Sequence, residues 1–82
     1  MTPQAKMMYE SFLVELLEDT SLDWVRWGKL SYAKEGNFMV IKAPGNITEE
    51  FKSEIDVLID GQYRIMATLM YGVLVKLESC ES

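Results

Sequence analysis

Between residues 8 and 17 apolar side chains return every three or four positions, at Met8, Phe12, Leu13, Leu16 and Leu17, with Glu10 and Glu15 off that line. This is the period of one helical stripe. Thr2 can accept from the first free N–H groups, and Pro3 suits a first turn where its missing N–H would have no partner. The spacing therefore predicts a helix over residues 3–18. Its stripe serves as core or as interface, and amphipathic logic places core first. Thr20-Ser21-Leu22-Asp23 has the form of a capping box. A short second helix would then carry Leu22, Trp24, Val25 and Trp27, and Gly28 would stop it. Two tryptophans three apart on a helix share one side, and since a domain of 82 residues needs at least one of them in its core, one is expected buried and the other partly exposed.

Two strands, 29–34 and 38–43, follow. Leu30 and Tyr32 alternate with smaller residues, Phe38–Ile41 is a run of strand formers, and Gly36 supplies a positive φ for the turn. Ala43-Pro44-Gly45-Asn46 ends the second strand. Asn46 or Thr48 then caps a third helix, with Glu49 and Glu50 in the turn where the helix dipole favours acid. Phe51, Ile55, Leu58 and Ile59 form its inward stripe. The pattern extends through Gln62, Met66, Leu69 and Met70, which predicts one long helix over 47–71, bent at Asp60-Gly61 and stopped by Gly72. Residues 73–78 alternate as a third strand, and 79–82 are expected to fray. The order is α-α-β-β-α-β, an α+β domain with helices packed on a three-stranded sheet.

Composition narrows the function more than the fold. The 82 residues allow one domain, 1–82, and 49% of them are hydrophobic, enough for a core. Met7, Met8, Met39, Met66 and Met70 are expected to fill gaps in that core. Thirteen acidic residues against eight basic ones leave a net charge of −5, which disfavours direct nucleic-acid binding, since phosphate contacts need clustered Lys and Arg. The one local patch in view is Arg26, Lys29, Lys34 and Lys42. The single cysteine, Cys80, can form no internal disulfide. No apolar run approaches the ~20 residues of a membrane span, and no basic head precedes an apolar leader. The expected setting is the cytoplasm.

The chemistry of catalysis is missing. There is no histidine to move protons or to activate a serine or cysteine, and zinc would lack its usual ligands. No glycine-rich phosphate loop occurs. Asp56 and Asp60, one helical turn apart, could touch one Mg²⁺, although an exposed like-charged pair is the commoner meaning. The expectation is a non-enzyme without catalytic residues, metal or cofactor. Surface recognition is left, with Trp24, Trp27, Tyr9, Tyr32, Tyr63 and Tyr71 as aromatic candidates.

Trp24-Val25-Arg26-Trp27, the turn at Gly36-Asn37, Ala43-Pro44-Gly45-Asn46, the helix after Thr48 and Val73-Leu74-Val75-Lys76-Leu77 together resemble the amino-terminal domain (domain I) of the bacterial replication initiator DnaA. That family has an FxxW pair on its second helix, a short hairpin, an Ala-Pro-Asn turn, a long third helix and a closing strand. Here a glycine interrupts the Ala-Pro-Asn turn, and Gly28-Lys29-Leu30 stands where the family often has Pro-Leu. The resemblance implies a KH-like fold, also shared by the carboxy-terminal domain of the clamp-loader tau subunit, and a role in DNA replication without enzymatic activity. It implies weak self-association through the first helix, here Met8 and Phe12, giving a possible homodimer. It also implies docking of an initiator, replicative helicase or loader, with Trp24, Trp27, Glu50 and Glu54 as contacts. Besides a purely structural homodimer, two other readings stay open. One is a small acidic inhibitor or DNA mimic, of a phage type, that masks a basic host protein. The other is a KH-like RNA binder, although no GXXG loop is present.

Overall fold

In the computed structural model, which describes residues 2–78, the Thr2 hydroxyl accepts from the Ala5 N–H at 3.1 Å and Pro3 opens the first turn. Helix α1 (Pro3–Glu18) runs as the apolar spacing predicts. Five strands follow in place of three: β1 (Val25–Trp27), β2 (Leu30–Glu35), β3 (Phe38–Lys42), β4 (Tyr63–Thr68) and β5 (Gly72–Leu77), with α2 (Glu49–Ile59) between β3 and β4. The chain is α+β, in the order α-β-β-β-α-β-β. Its strands form one antiparallel sheet ordered β1-β2-β3-β5-β4. The expected fraying of 79–82 lies outside the described residues.

The predicted hairpin is present. Glu35 pairs with Phe38 across a two-residue loop in which Gly36 has φ +63°, the left-handed backbone such loops demand. The second predicted helix is not there. Asp19, not Thr20, supplies the local cap: its carboxylate accepts from both the Ser21 N–H (2.8 Å) and the Ser21 hydroxyl (2.6 Å). Such an Asx turn competes with helix formation. The chain then enters β1, whose Trp27 pairs with Leu30 across Gly28-Lys29, with Gly28 at φ +61°.

The long helix also fails, at the point where it was expected only to bend. Thr48 caps α2 by accepting from Phe51 N–H. Asp60 and Gly61 then take positive φ in succession (59° and 69°), and the Gly61 N–H closes onto the Asp56 carbonyl at 3.0 Å. Two left-handed residues in a row end a right-handed helix. Residues 63–68 become an edge strand.

Alternation along the sheet divides the core in two. Ala33, Val40, Leu74 and Ala67 meet Leu13, Leu16 and Leu17 of α1 on one face. Leu30, Met39, Ile41, Val73 and Val75 meet Ile55, Phe51, Leu58 and Ile59 of α2 on the other. The helices thus flank the sheet, one on each side. Of the five methionines expected inside, Met39 is buried and Met66 half-buried, whereas Met7, Met8 and Met70 are exposed.

Gly72 sits where α1 crosses the start of β5. A Cβ there would lie 2.6 Å from Leu17 Cδ1, and Leu17 is itself held in the core. Replacing Gly72 by Ala is expected to destabilise the protein by about 1–3 kcal/mol through overpacking. Urea unfolding checks this. The double variant Gly72→Ala/Leu17→Ala is expected to cost less than the two single losses added, because the new methyl occupies space the leucine vacates.

Candidate functional site

Helix α1 uses Leu13, Leu16 and Leu17 to grip the sheet, and this choice decides what its other side shows. At about 100° per residue, Met7 and Met8 fall roughly 130° from the centre of that leucine stripe. Both face solvent, 65% and 72% exposed. Met8, read from the sequence as part of the stripe, therefore lies off the core. Phe12 is half-buried, with its ring edge-on to Phe38 at a centroid distance of 5.9 Å, and Tyr9 stacks at a tilt on the same ring at 6.0 Å. Gln4, Met7, Met8, Ser11, Phe12 and Glu15 line a shallow groove of about 570 Å³ along the helix. Sequence reasoning did not single out Met7 for this surface. The signal was available in the i, i+4 ridges Met7–Ser11 and Met8–Phe12, which the helical period turns away from the centre of the leucine stripe.

The tryptophans separate. Trp24 immediately precedes β1 and Trp27 ends it; odd spacing along extended chain sends side chains to opposite faces, and Trp24 packs on the α1 side and Trp27 on the α2 side. Both are half-buried. The Trp24 indole N–H donates to the Asp19 carbonyl at 2.9 Å, and the Lys42 ammonium lies 4.4 Å from its ring centroid. This is cation–π geometry. The Asp19 carboxyl is held below the usual carboxylate range by the Ser21 hydroxyl and then by the Ser21 N–H.

Glu50 is exposed on α2, as expected, but Glu54 is not on an open face. Its side chain folds towards the β1–β2 turn, where Oε1 lies 3.7 Å from the position a Cβ on Gly28 would occupy, and its buried Oε2 has no hydrogen-bond partner. The fold therefore brings Glu54 to the turn that follows Trp27 and leaves Trp24 across the sheet. Met8 and Phe12 share one groove, whereas the four expected docking residues do not share one surface.

Asp56 and Asp60 are also split by the end of α2. Asp56 accepts a short hydrogen bond from the Tyr63 hydroxyl, and Asp60 occupies the left-handed cap. Among the described residues no three His, Cys, Asp or Glu side chains converge on a point that could hold a metal ion. No helix among them is long and apolar enough to cross a membrane. Comparison of the chain with protein-family models, with curated proteins and with solved structures returned no match.

The Tyr63 phenol is pushed up to about 12, first by burial and then by its hydrogen bond to Asp56 and that residue's charge. The folded state thus holds the proton more tightly than the unfolded chain, whose tyrosines ionise near pH 10. The resulting stability is fully present below pH ~10 and is lost as pH climbs towards 12. The tyrosinate absorbance of the protein minus that of Tyr63→Phe is expected to rise with a midpoint near 12 when folded and near 10 in urea. A folded midpoint near 10 would falsify the Tyr63–Asp56 bond.

Proposed function

We propose that this chain is a non-catalytic protein-interaction module that self-associates through the outer face of α1. One observation carries the reading: Met7 and Met8 stand side by side in solvent above a half-buried Phe12, on a helix whose other side already fills the core. Methionine suits such a contact because its unbranched, polarizable side chain adapts to the surface it meets. The charges of α1 favour an antiparallel partner. Lys6 lies near its amino end, while Glu10, Glu15 and Glu18 lie further along. Antiparallel pairing sets unlike charges opposite each other, and parallel pairing does not.

The resemblance to the initiator's amino-terminal domain supplies the class of heterologous partner: an initiator, replicative helicase or loader. The reading is supported by the residues that carry the resemblance, among them the turn at Gly36-Asn37, Ala43-Pro44-Gly45-Asn46, the helix after Thr48 and Val73-Leu74-Val75-Lys76-Leu77. The Trp24–Trp27 segment, which the resemblance reads as helix, is extended instead, with Val25–Trp27 forming β1. In this reading Trp27 and Glu50, on the α2 side, belong to the second docking surface, Glu54 lies turned in against the β1–β2 turn behind it, and Trp24 supports the fold from the opposite face.

Sedimentation velocity across a concentration series tests self-association. The protein is expected to show a rising weight-average mass, and Met8→Glu to weaken association at least about tenfold by burying an unpaired carboxylate. Phe12→Ala should weaken it too, with some loss of stability from the Phe38 contact. A mass that stays monomeric at every concentration would sink the α1 reading. A pull-down that recovers no initiator, helicase or loader would remove the replication partner and leave self-association standing.

A further inference from the structure

We propose that a cleft formed by β1, β2 and β3, on the α1 side of the sheet, binds the phosphate group of a small phosphomonoester. Arg26 is the register partner of Ser31, and Ser31 is the register partner of Lys42. Directly paired residues share a face, so the three make one row of roughly 10 Å across adjacent strands. Lys29 joins them from the β1–β2 turn, and Ala43 and Pro44 complete a cleft of about 220 Å³. Helix α1 lies chiefly against β3, β4 and β5, so this end of the face is open.

The charge at this cleft is the anomaly. The protein carries thirteen acids and eight bases, yet three of those bases gather here. Among the described residues the ion pairs are Lys52–Glu49 and Arg64–Glu78, and none involves Arg26, Lys29 or Lys42. Gathering like charges without an acid costs stability, and a bound anion removes that cost. Lys42 is also pre-positioned. Its ammonium sits over the Trp24 ring, and that ring is tied through its N–H to the Asp19 carbonyl.

The donors suit one tetrahedral dianion. Arg26 offers a planar fork, Ser31 a hydroxyl and the two lysines point charges, against the several acceptor oxygens of a phosphate. Size and field argue against a polyanion. The cleft is smaller than the ~300 Å³ at which drug-sized ligand pockets begin. A strand of nucleic acid would also reach past the ~8 Å screening length into a molecule of net charge −5. Lys34, the remaining basic residue of the sequence patch, cannot extend a track, because it lines a different cleft with Met39, Leu58 and Ile59 on the α2 side.

The test is a ¹H–¹⁵N NMR titration with inorganic phosphate, O-phosphoserine and a short single-stranded oligonucleotide in parallel. Saturable shifts are expected at the amides of Arg26, Ser31 and Lys42 and at the Trp24 indole N–H, with the Trp27 indole unmoved. Arg26→Gln, at an exposed position, should weaken binding about fivefold to tenfold with a ligand-free thermal midpoint no lower than that of the parent protein, and Lys42→Gln should weaken binding at least as much. Arg64→Gln should leave it unchanged. Equal affinity for phosphate and phosphoserine would mean that the phosphate group alone is read, and tighter phosphoserine binding that its ester is read as well; either supports the site. Shifts that never saturate, affinity unaffected by Arg26→Gln, or an oligonucleotide that binds more tightly with a salt slope of several phosphates would overturn it.

Discussion

The pairing of β3 with β5 at the centre of the sheet sets the terms for everything else. Met39, Val40 and Ile41 face Val75, Leu74 and Val73 in register, and all six are at most 4% exposed. Consecutive residues point to opposite faces, so both faces of the sheet must be covered at its centre. Burying each such side chain is worth about 1.5–3 kcal/mol, an amount that no short chain can forgo. Two helices meet the requirement, one per face. The β2–β3 hairpin and the β4–β5 pair complete the sheet on either side of this central ladder.

That constraint also explains how far the sequence could be read. Signals contained within a few residues were legible: Thr2-Pro3 at the start of α1, Gly36 in the hairpin, Thr48 ahead of α2, and the alternation of 73–77. The failures share a cause, which is that the deciding partner lies far along the chain. Strand β1 has only three residues, too few for a visible period, and it exists because β2 offers an edge to pair with. Strand β4 is disguised by its own irregularity. A register shift between Ile65 and Ala67 breaks the alternation, so the sheltered residues are Tyr63, Met66 and Ala67, at spacings of three and four. A bulged strand thereby imitates a helix. Glycine at 61 was the counter-signal, and it carried more weight than the apolar spacing beyond it.

The candidate surfaces were less legible than the fold, for the same reason. Reading 22–27 as helix puts Trp24 and Trp27 on one side, whereas the extended chain leading into β1 sends them to opposite faces and divides the proposed contacts between the two helical layers. Glu54 looks like a surface residue from its helical position alone. Its carboxylate instead lies against Gly28, in the turn between β1 and β2, a neighbour far away in sequence. Met8 was assigned to the stripe because it precedes Phe12 by four, but the leucines at 13, 16 and 17 define the buried direction.

Coverage finally relates the two surfaces to each other. A helix about 10–12 Å across cannot shield a five-stranded sheet, which at nearly 5 Å per strand is roughly 20 Å wide. With α1 lying over β3, β4 and β5, the β1–β2 end of that face must be polar, and Arg26, Ser31 and Lys42 make it so. Need for polarity alone does not select cations in a protein this acidic; Glu or Thr would satisfy it equally. In the same way, α1 had no need of Met7 and Met8 once three leucines had closed the core. Both surfaces carry more than the fold demands of them: apolar area in one case, uncompensated positive charge in the other. They also lie on the same side of the sheet. The two share no lining residue: Gln4, Met7, Met8, Ser11, Phe12 and Glu15 belong to one, and Arg26, Lys29, Ser31 and Lys42 to the other.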